Sequence, residues 1–250
     1  MRVSIIGAGS WGTTMASLVS KNADVVLWAR RPDLAEALRS GTNPDYLPGI
    51  QLPPIEATTD LEQALAEADA VLVAVPSHGF RTVLEGAADH VPHTTPVLSL
   101  TKGIERGSHL RMTEVVADVM AGHDPSRIGV LSGPNLAREI VAGEPAATVI
   151  AIADPNAAGL LQSVVMTPRF RVYTNPDVVG AELAGATKNV MAIAVGIIQG
   201  LGFGLNTVAT TITRALAEIT RLGIAMGGDQ LTFGGLAGVG DLMATCMSDL

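Results

Sequence analysis

Three lysines stand beside thirteen arginines in this chain of 250 residues: Lys21, Lys102 and Lys188. Where nearly every cation is arginine, a retained lysine points to chemistry closed to a guanidinium, because a buried ammonium can give up its proton. Lys21 ends the first helical segment, where a cation suits the helix dipole, and reads as structural. Lys102 follows the apolar run Val97–Leu100 in Leu-Thr-Lys-Gly, and Lys188 lies in Ala-Gly-Ala-Thr-Lys-Asn, flanked by residues too small to shield it from a cleft. Singly, each is an ordinary surface lysine. Paired beside a hydride-carrying cofactor, they could polarise and protonate a carbonyl.

The N-terminus supplies the cofactor signal. In Val3-Ser4-Ile5-Ile6-Gly7-Ala8-Gly9-Ser10-Trp11-Gly12, a G-x-G-x-x-G pattern follows a strand-like run and opens a helical one. Gly7 permits the tight turn, Gly9 lets the backbone approach a pyrophosphate, and Gly12 lets the helix press on the sheet. The helix N-terminus then offers free N–H groups to phosphate. The second strand-like run ends in Trp28-Ala29-Arg30-Arg31, where an enzyme restricted to NAD usually carries an acid for the ribose hydroxyls. Two guanidinium groups suit a 2′-phosphate instead, so NADP is favoured with NAD as the alternative; a solvated arginine pair is the plainer reading.

Asn135, in Ser132-Gly133-Pro134-Asn135-Leu136-Ala137, either caps the following helix or bonds a ligand. Asp241, in Gly-Val-Gly-Asp-Leu, either caps a helix or holds a catalytic cation. His78, His90, His93, His109 and His123 lack metal-ligand spacing, and His78 alone falls near the cofactor edge. No zinc, Ser-His-Asp or paired-carboxylate signature is present.

Strand-like runs must position these groups. They fall at Val3–Ile6, Val25–Ala29, Ala70–Val75, Val97–Leu100, Ile128–Leu131, Thr148–Ala153 and Arg171–Tyr173, and helix-length segments separate most of them. Continuously apolar strands alternating with helices predict a Rossmann-type α/β fold: a doubly wound, mostly parallel sheet covered on both faces. After Asn175-Pro176 the pattern turns helical, with Asp177–Gln199 and Asn206–Leu222 as helices, the second capped by Asn206. A dinucleotide-binding domain over 1–176 and an all-helical substrate domain over 177–250 follow. The apolar stretch from Val190 to Leu205 holds Gln199 and four glycines. It is short of the roughly 20 residues of a membrane span and reads as a buried core helix.

Composition narrows the function. The 24 acidic residues outnumber the 16 basic ones, for a net charge of −8, which argues against a general nucleic-acid binder. A single cysteine, Cys246, cannot form an internal disulfide and fits a reducing cytoplasm. A soluble, cytoplasmic protein is expected.

The segments Gly-Ala-Gly-Ser-Trp-Gly-Thr, Trp-Ala-Arg-Arg, Tyr46-Leu47-Pro48-Gly49, Val75-Pro76-Ser77, Thr101-Lys102-Gly103 and Ser132-Gly133-Pro134-Asn135-Leu136-Ala137 occur in one order. With Glu182-Leu183, Lys188-Asn189 and Gly240-Asp241-Leu242 they resemble the NAD(P)-dependent glycerol-3-phosphate dehydrogenase family along the whole chain. The resemblance implies reduction of dihydroxyacetone phosphate to sn-glycerol 3-phosphate, feeding phospholipid synthesis. It implies that Gly7, Gly9, Ser10, Trp11, Gly12, Arg30 and Arg31 hold the cofactor, and that Ala137 lies against it. Lys102 would touch cofactor and substrate, Gly133 and Asn135 the substrate, with Asp241 supporting that site and Lys188 exchanging the proton. Family members in bacteria often have Ser or Thr where Asn135 stands. The family also continues past the Thr-Cys segment with a Ser-Arg-Asn stretch that grips phosphate, so the resemblance implies an incomplete helical domain ending at Leu250 and a homodimer when full length. Two rivals stand beside it: a reductase of similar architecture acting on a hydroxy acid or sugar nucleotide, and a cofactor-binding sensor without turnover.

Overall fold

The computed structural model describes residues 1–248; Asp249 and Leu250, at the end of the expected helical stretch, lie outside the described residues. The chain begins β1 (Arg2–Ile6), α1 (Ser10–Val19), β2 (Asp24–Trp28), α2 (Pro32–Arg39), β3 (Glu56–Thr58), α3 (Leu61–Leu65), β4 (Ala70–Val73), α4 (Phe80–Ala87), β5 (Val97–Ser99) and α5 (Met112–Val119). It continues with β6 (Ile128–Ser132), α6 (Ala137–Val141), β7 (Ala146–Ala151), α7 (Pro155–Val165) and β8 (Phe170–Asn175). Helices follow: α8 (Val178–Gly200), α9 (Leu205–Ala225), α10 (Gln230–Phe233), a π-helical turn over Leu236–Gly240, and α11 (Asp241–Met247).

The eight strands form one sheet in the order β3-β2-β1-β4-β5-β6-β7-β8. All neighbours run parallel except β6 and β7. This is the doubly wound Rossmann arrangement, with its switch point between β1 and β4, where ligands enter at the carboxyl ends of the strands. Alternation along each strand feeds two cores. Val3 and Ile5 of β1 pack with Met15 and Leu161 on one face, while Ile6 joins Val71, Val73 and Phe80 on the other. Both faces are covered, which explains why these strands read as unbroken apolar runs.

Gly12 shows why the loop needs its spacing: a Cβ there would fall 1.9 Å from the carbonyl oxygen of Gly7. Gly7 itself takes φ +111°, a left-handed conformation that a side chain resists. Buried Asn43 braces the loop by donating to Ala8 O at 3.1 Å and to Thr13 Oγ1 at 2.8 Å.

The helical part starts where Asp177 caps α8, its Oδ1 accepting from Gly180 N at 2.8 Å, while its Oδ2 accepts from Asp229 N at the start of α10. Three expectations are corrected. Strand β3 carries too short a β-type run, Glu-Ala-Thr, to stand out; it forms because β2 offers it an edge. Asn206 does not cap α9: the cap position is Gly204, and Asn206 already lies inside the first turn. The stretch from Val190 to Leu205 is not a buried core helix. Val195 is fully buried, but Val190, Ile193, Ile197 and Leu201 are each more than half exposed. In this half of α8 the side that packs carries Met191, Ala192 and Val195, which join Ala215 and Ile219 of α9 and Leu242 and Cys246 of α11. By length and hydropathy α8 is also the one described helix that could cross a membrane, a weak signal.

Candidate functional site

A cleft of about 680 Å³ opens along the carboxyl edge of the sheet. Gly7, Gly9, Ser10, Trp11, Arg30, Arg31 and Lys102 line it, as does His78. Tyr46 and Trp28 also face it, neither of which is marked by residue type alone. Gly12 lies behind the loop. Ala137 does not line the cleft, but it begins α6, and its carbonyl faces Thr14 Oγ1 of α1 at 3.4 Å.

The cleft fits a dinucleotide on its own geometry. A methyl on Gly9 would meet no protein atom within 4 Å, so the loop stays bare on that side. The first turn of α1 has no side-chain cap and no acidic residue, which leaves its N–H groups for an anion. At the far end the two arginines differ. Arg31 is paired to Asp45 and lies 3.5 Å from Asp33, so acids do approach the ribose end, Asp45 by folding and Asp33 from two residues on. Both side chains are about half exposed, and water weakens that pairing.

Lys102 of the cleft lining meets Asp241, which also holds Lys188. Lys102 Nζ donates to Asp241 Oδ2 at 2.5 Å and to Gly133 O at 3.1 Å. Lys188 Nζ donates to Asp241 Oδ1 at 2.6 Å and to Thr245 Oγ1 at 2.5 Å. Three separate elements converge here: the end of β5, the middle of α8 and the start of α11. The π-helical turn delivers Asp241; such turns interrupt regular helices where a side chain must be re-aimed. Between its two alternatives, Asp241 holds cations.

Asp241 is 2% exposed, Lys188 11% and Lys102 24%, so the charges interact in partial isolation from water. Lys188 is therefore not open through small neighbours, as its sequence context suggests; it is buried within the helical core. One carboxylate between two ammonium groups leaves a net charge of about +1. An ammonium has three donors. Each lysine uses two on protein oxygens, which leaves one apiece uncommitted among the described residues. Burial pushes Lys102 down to about 8, helped by the charge of Lys188 and opposed by Asp241.

Asn135 does not cap α6, whose cap position is Leu136. Its Nδ2 donates to Thr148 Oγ1 at 3.1 Å, and that hydroxyl donates to Ser132 O at 3.0 Å. The hydroxyl proton is thus committed, which fixes the amide with Oδ1 buried and, among the described residues, without a partner. Ser132 Oγ is likewise buried and unpartnered. Bare polar atoms on the segment whose Gly133 carbonyl holds Lys102 are what a ligand pocket presents. Thr245 and Thr148, which orient Lys188 and Asn135, were not visible in the sequence, since a threonine one helical turn past Asp241 carries no signal of its own. Among the described residues no cluster of His, Cys, Asp or Glu could hold a metal.

Residues 2–158 match the family model described as NAD-dependent glycerol-3-phosphate dehydrogenase N-terminus, and residues 177–250 match its C-terminus counterpart. The chain is 54% identical over 252 residues to glycerol-3-phosphate dehydrogenase (NAD(P)+) 2 of Sphingopyxis alaskensis, covering all of this chain and 75% of that protein. It is 55% identical over 251 residues to the Corynebacterium glutamicum glycerol-3-phosphate dehydrogenase (NAD(P)+), covering 99% of this chain and 75% of the relative. The crystal structure of glycerol-3-phosphate dehydrogenase from Coxiella burnetii superposes with a TM-score of 0.91 at 38% identity, over 99% of this chain and 76% of that one.

Proposed function

The chain belongs to the NAD-dependent glycerol-3-phosphate dehydrogenase family, and from that premise we propose how its residues carry the reaction. The enzyme reduces dihydroxyacetone phosphate to sn-glycerol 3-phosphate with NADH or NADPH, reversibly, and so supplies the glycerol phosphate of phospholipids.

The observation that carries the mechanism is the shared grip of Asp241 on two lysines at the edge of the glycine-loop cleft. When bound, the reduced nicotinamide supplies a hydride to the ketone carbon. The chain does the rest. Its remaining lysine donors hold the carbonyl oxygen, and the net positive charge favours the negative charge that develops there. Lys188 then gives its proton to that oxygen, and takes it back in the oxidation. Asp241 keeps both ammonium groups in place, and Thr245 aims Lys188. Lys102, at the cleft wall, reaches both cofactor and substrate, with Gly133 and Asn135 forming the substrate side. Gly7, Gly9, Ser10, Trp11, Arg30 and Arg31 form the cofactor side, with Gly12 behind the loop and Ala137 against α1 in support. No step requires a metal, because an ammonium polarises the carbonyl.

NADPH is the preferred reductant in this reading, since a 2′-phosphate gives Arg30 and Arg31 a dianion in place of the solvent-weakened Asp45. We take 1–176 as the dinucleotide-binding domain and 177–250 as the helical substrate domain; the sheet's end at Asn175 and the family match starting at 177 support that division. A soluble, cytoplasmic homodimer is the form we assign, testable by sedimentation.

The test is turnover, followed by NADPH absorbance, with dihydroxyacetone phosphate, a 2-keto acid and a nucleoside-diphosphate sugar. Efficient use of the triose phosphate alone is the expected result; preference for either of the others would overturn the reading.

A further inference from the structure

Helix α5 begins without a proper cap. Its cap position is Arg111, which has no side-chain oxygen to offer. The Glu114 carboxylate reaches back to Arg111 N at 2.8 Å, but another N–H of the first turn, that of Thr113, is taken by a residue far along the chain: Glu182 Oε1 accepts from it at 2.9 Å. Glu182 Oε2 accepts from Thr113 Oγ1 at 2.6 Å and from Arg111 Nη1 at 2.9 Å. The carboxylate is 1% exposed and Arg111 13%. Burial pushes Glu182 above the usual carboxylate range, even against these donors.

A buried charge of this kind is costly, and apolar packing would often serve stability as well. The bond's place in the fold gives it another use. Arg111 and Thr113 end the segment that leaves β5 through Lys102, while Glu182 sits in α8 six residues before Lys188, about 9 Å by helix rise. The segment between is itself pinned: Glu105 pairs with Arg81 of α4 at 2.8 Å, and Ile104 bridges to Arg111. The carriers of both lysines are therefore tied at one point outside the cleft.

We propose that Glu182 is a positioning residue for the reaction: its clasp on Arg111 and Thr113 fixes helix α8 against the cofactor half, so that Lys188 stands beside Asp241 and Lys102. The proposal rests on the reading of Lys188 as proton donor. Positioning errors of about 1 Å at a reacting centre cost on the order of 100-fold, and a buried ion pair is more directional than apolar contact.

The test uses Glu182→Gln in the full chain, which keeps shape but removes the charge that holds Arg111. The expected result is a kcat at least tenfold lower, with the Kd for NADPH within threefold, and with no further loss when Glu182→Gln is added to Lys188→Ala. That non-additivity marks a residue acting through Lys188. A kcat within twofold of the parent would overturn the proposal. So would a joint fall of kcat, NADPH affinity and melting temperature, or an additive loss in the Lys188→Ala background, since each describes a merely structural bond. Should Glu182→Gln not fold, Arg111→Lys is read by the same criteria, because it keeps the charge and breaks the clasp geometry. Lys188→Ala alone separates the two ideas. If it retains turnover, the proton-donor reading fails; if it is dead while Glu182→Gln works normally, only the clasp fails.

Discussion

Lys188 Nζ lies 2.6 Å from Asp241 Oδ1, and the other oxygen of the same carboxylate holds Lys102 at 2.5 Å. One buried anion thus keeps two cations close that would otherwise repel each other. Asp241→Asn should lower kcat/KM by at least ~100-fold, in the range of lost acid–base catalysis, and destabilise the fold by about 3–5 kcal/mol as two partly buried charges lose their partner. Steady-state kinetics and urea unfolding of the variant measure both. Near-parental values of either would mean that the carboxylate is a bystander.

The alkaline limb of the reaction should follow Lys102. With its ammonium pushed down from 10.5 to about 8, it is charged below pH 8 and neutral above, so KM for the phosphate-bearing substrate rises through that value. Stability runs the opposite way. Between about pH 8 and 10.5 the unfolded chain keeps a proton that the folded chain has released, so stability increases with pH in that window on account of this group. A KM flat from pH 7 to 10 would contradict the assignment.

In the proposed reading Arg30 and Arg31 discriminate between the cofactors. Charge-assisted hydrogen bonds contribute about 1.5–3 kcal/mol, so the Arg30→Ala, Arg31→Ala double variant should lose more than about tenfold in NADPH affinity. NADH affinity should barely move. Releasing Arg31 from its acid by Asp45→Asn should tighten NADPH. Fluorescence titration with both cofactors reads these effects, and equal losses for the two would remove the arginines from 2′-phosphate recognition.

Gly12→Ala places a methyl 1.9 Å from Gly7 O. Overpacking of that order costs about 1–3 kcal/mol, and the displaced loop should lose cofactor affinity as well. Thermal melts with and without NADPH check this; a variant with parental melting and binding would show that α1 can shift freely.

The sheet was legible in the sequence because strands buried on both faces must be apolar throughout, as Val71, Leu72 and Val73 are. Edge strand β3 was not, since three residues paired to one neighbour leave no pattern. The glycine loop announced itself because phosphate contact and helix packing both demand missing side chains at fixed spacing. The lysine pair was legible by type, in a chain where arginine is otherwise the rule. Its geometry was not: nothing in Gly-Val-Gly-Asp-Leu says that a π-helical turn aims Asp241 between both lysines. The pairing of Arg31 to Asp45 and the Glu182 clasp depend on residues outside the local segment, which only folding brings together.

In the proposed reading Lys188 transfers the proton in dihydroxyacetone phosphate reduction. The most direct test of that role is Lys188→Ala, assayed by NADPH absorbance under saturating cofactor, with NADPH binding measured separately. The expected result is a loss in kcat of about 10²–10⁴-fold with NADPH affinity within threefold of the parent, and no recovery in Lys188→Arg, whose guanidinium holds its proton too tightly. A Lys188→Ala enzyme that kept more than about a tenth of the parental rate, well outside that range, would contradict it.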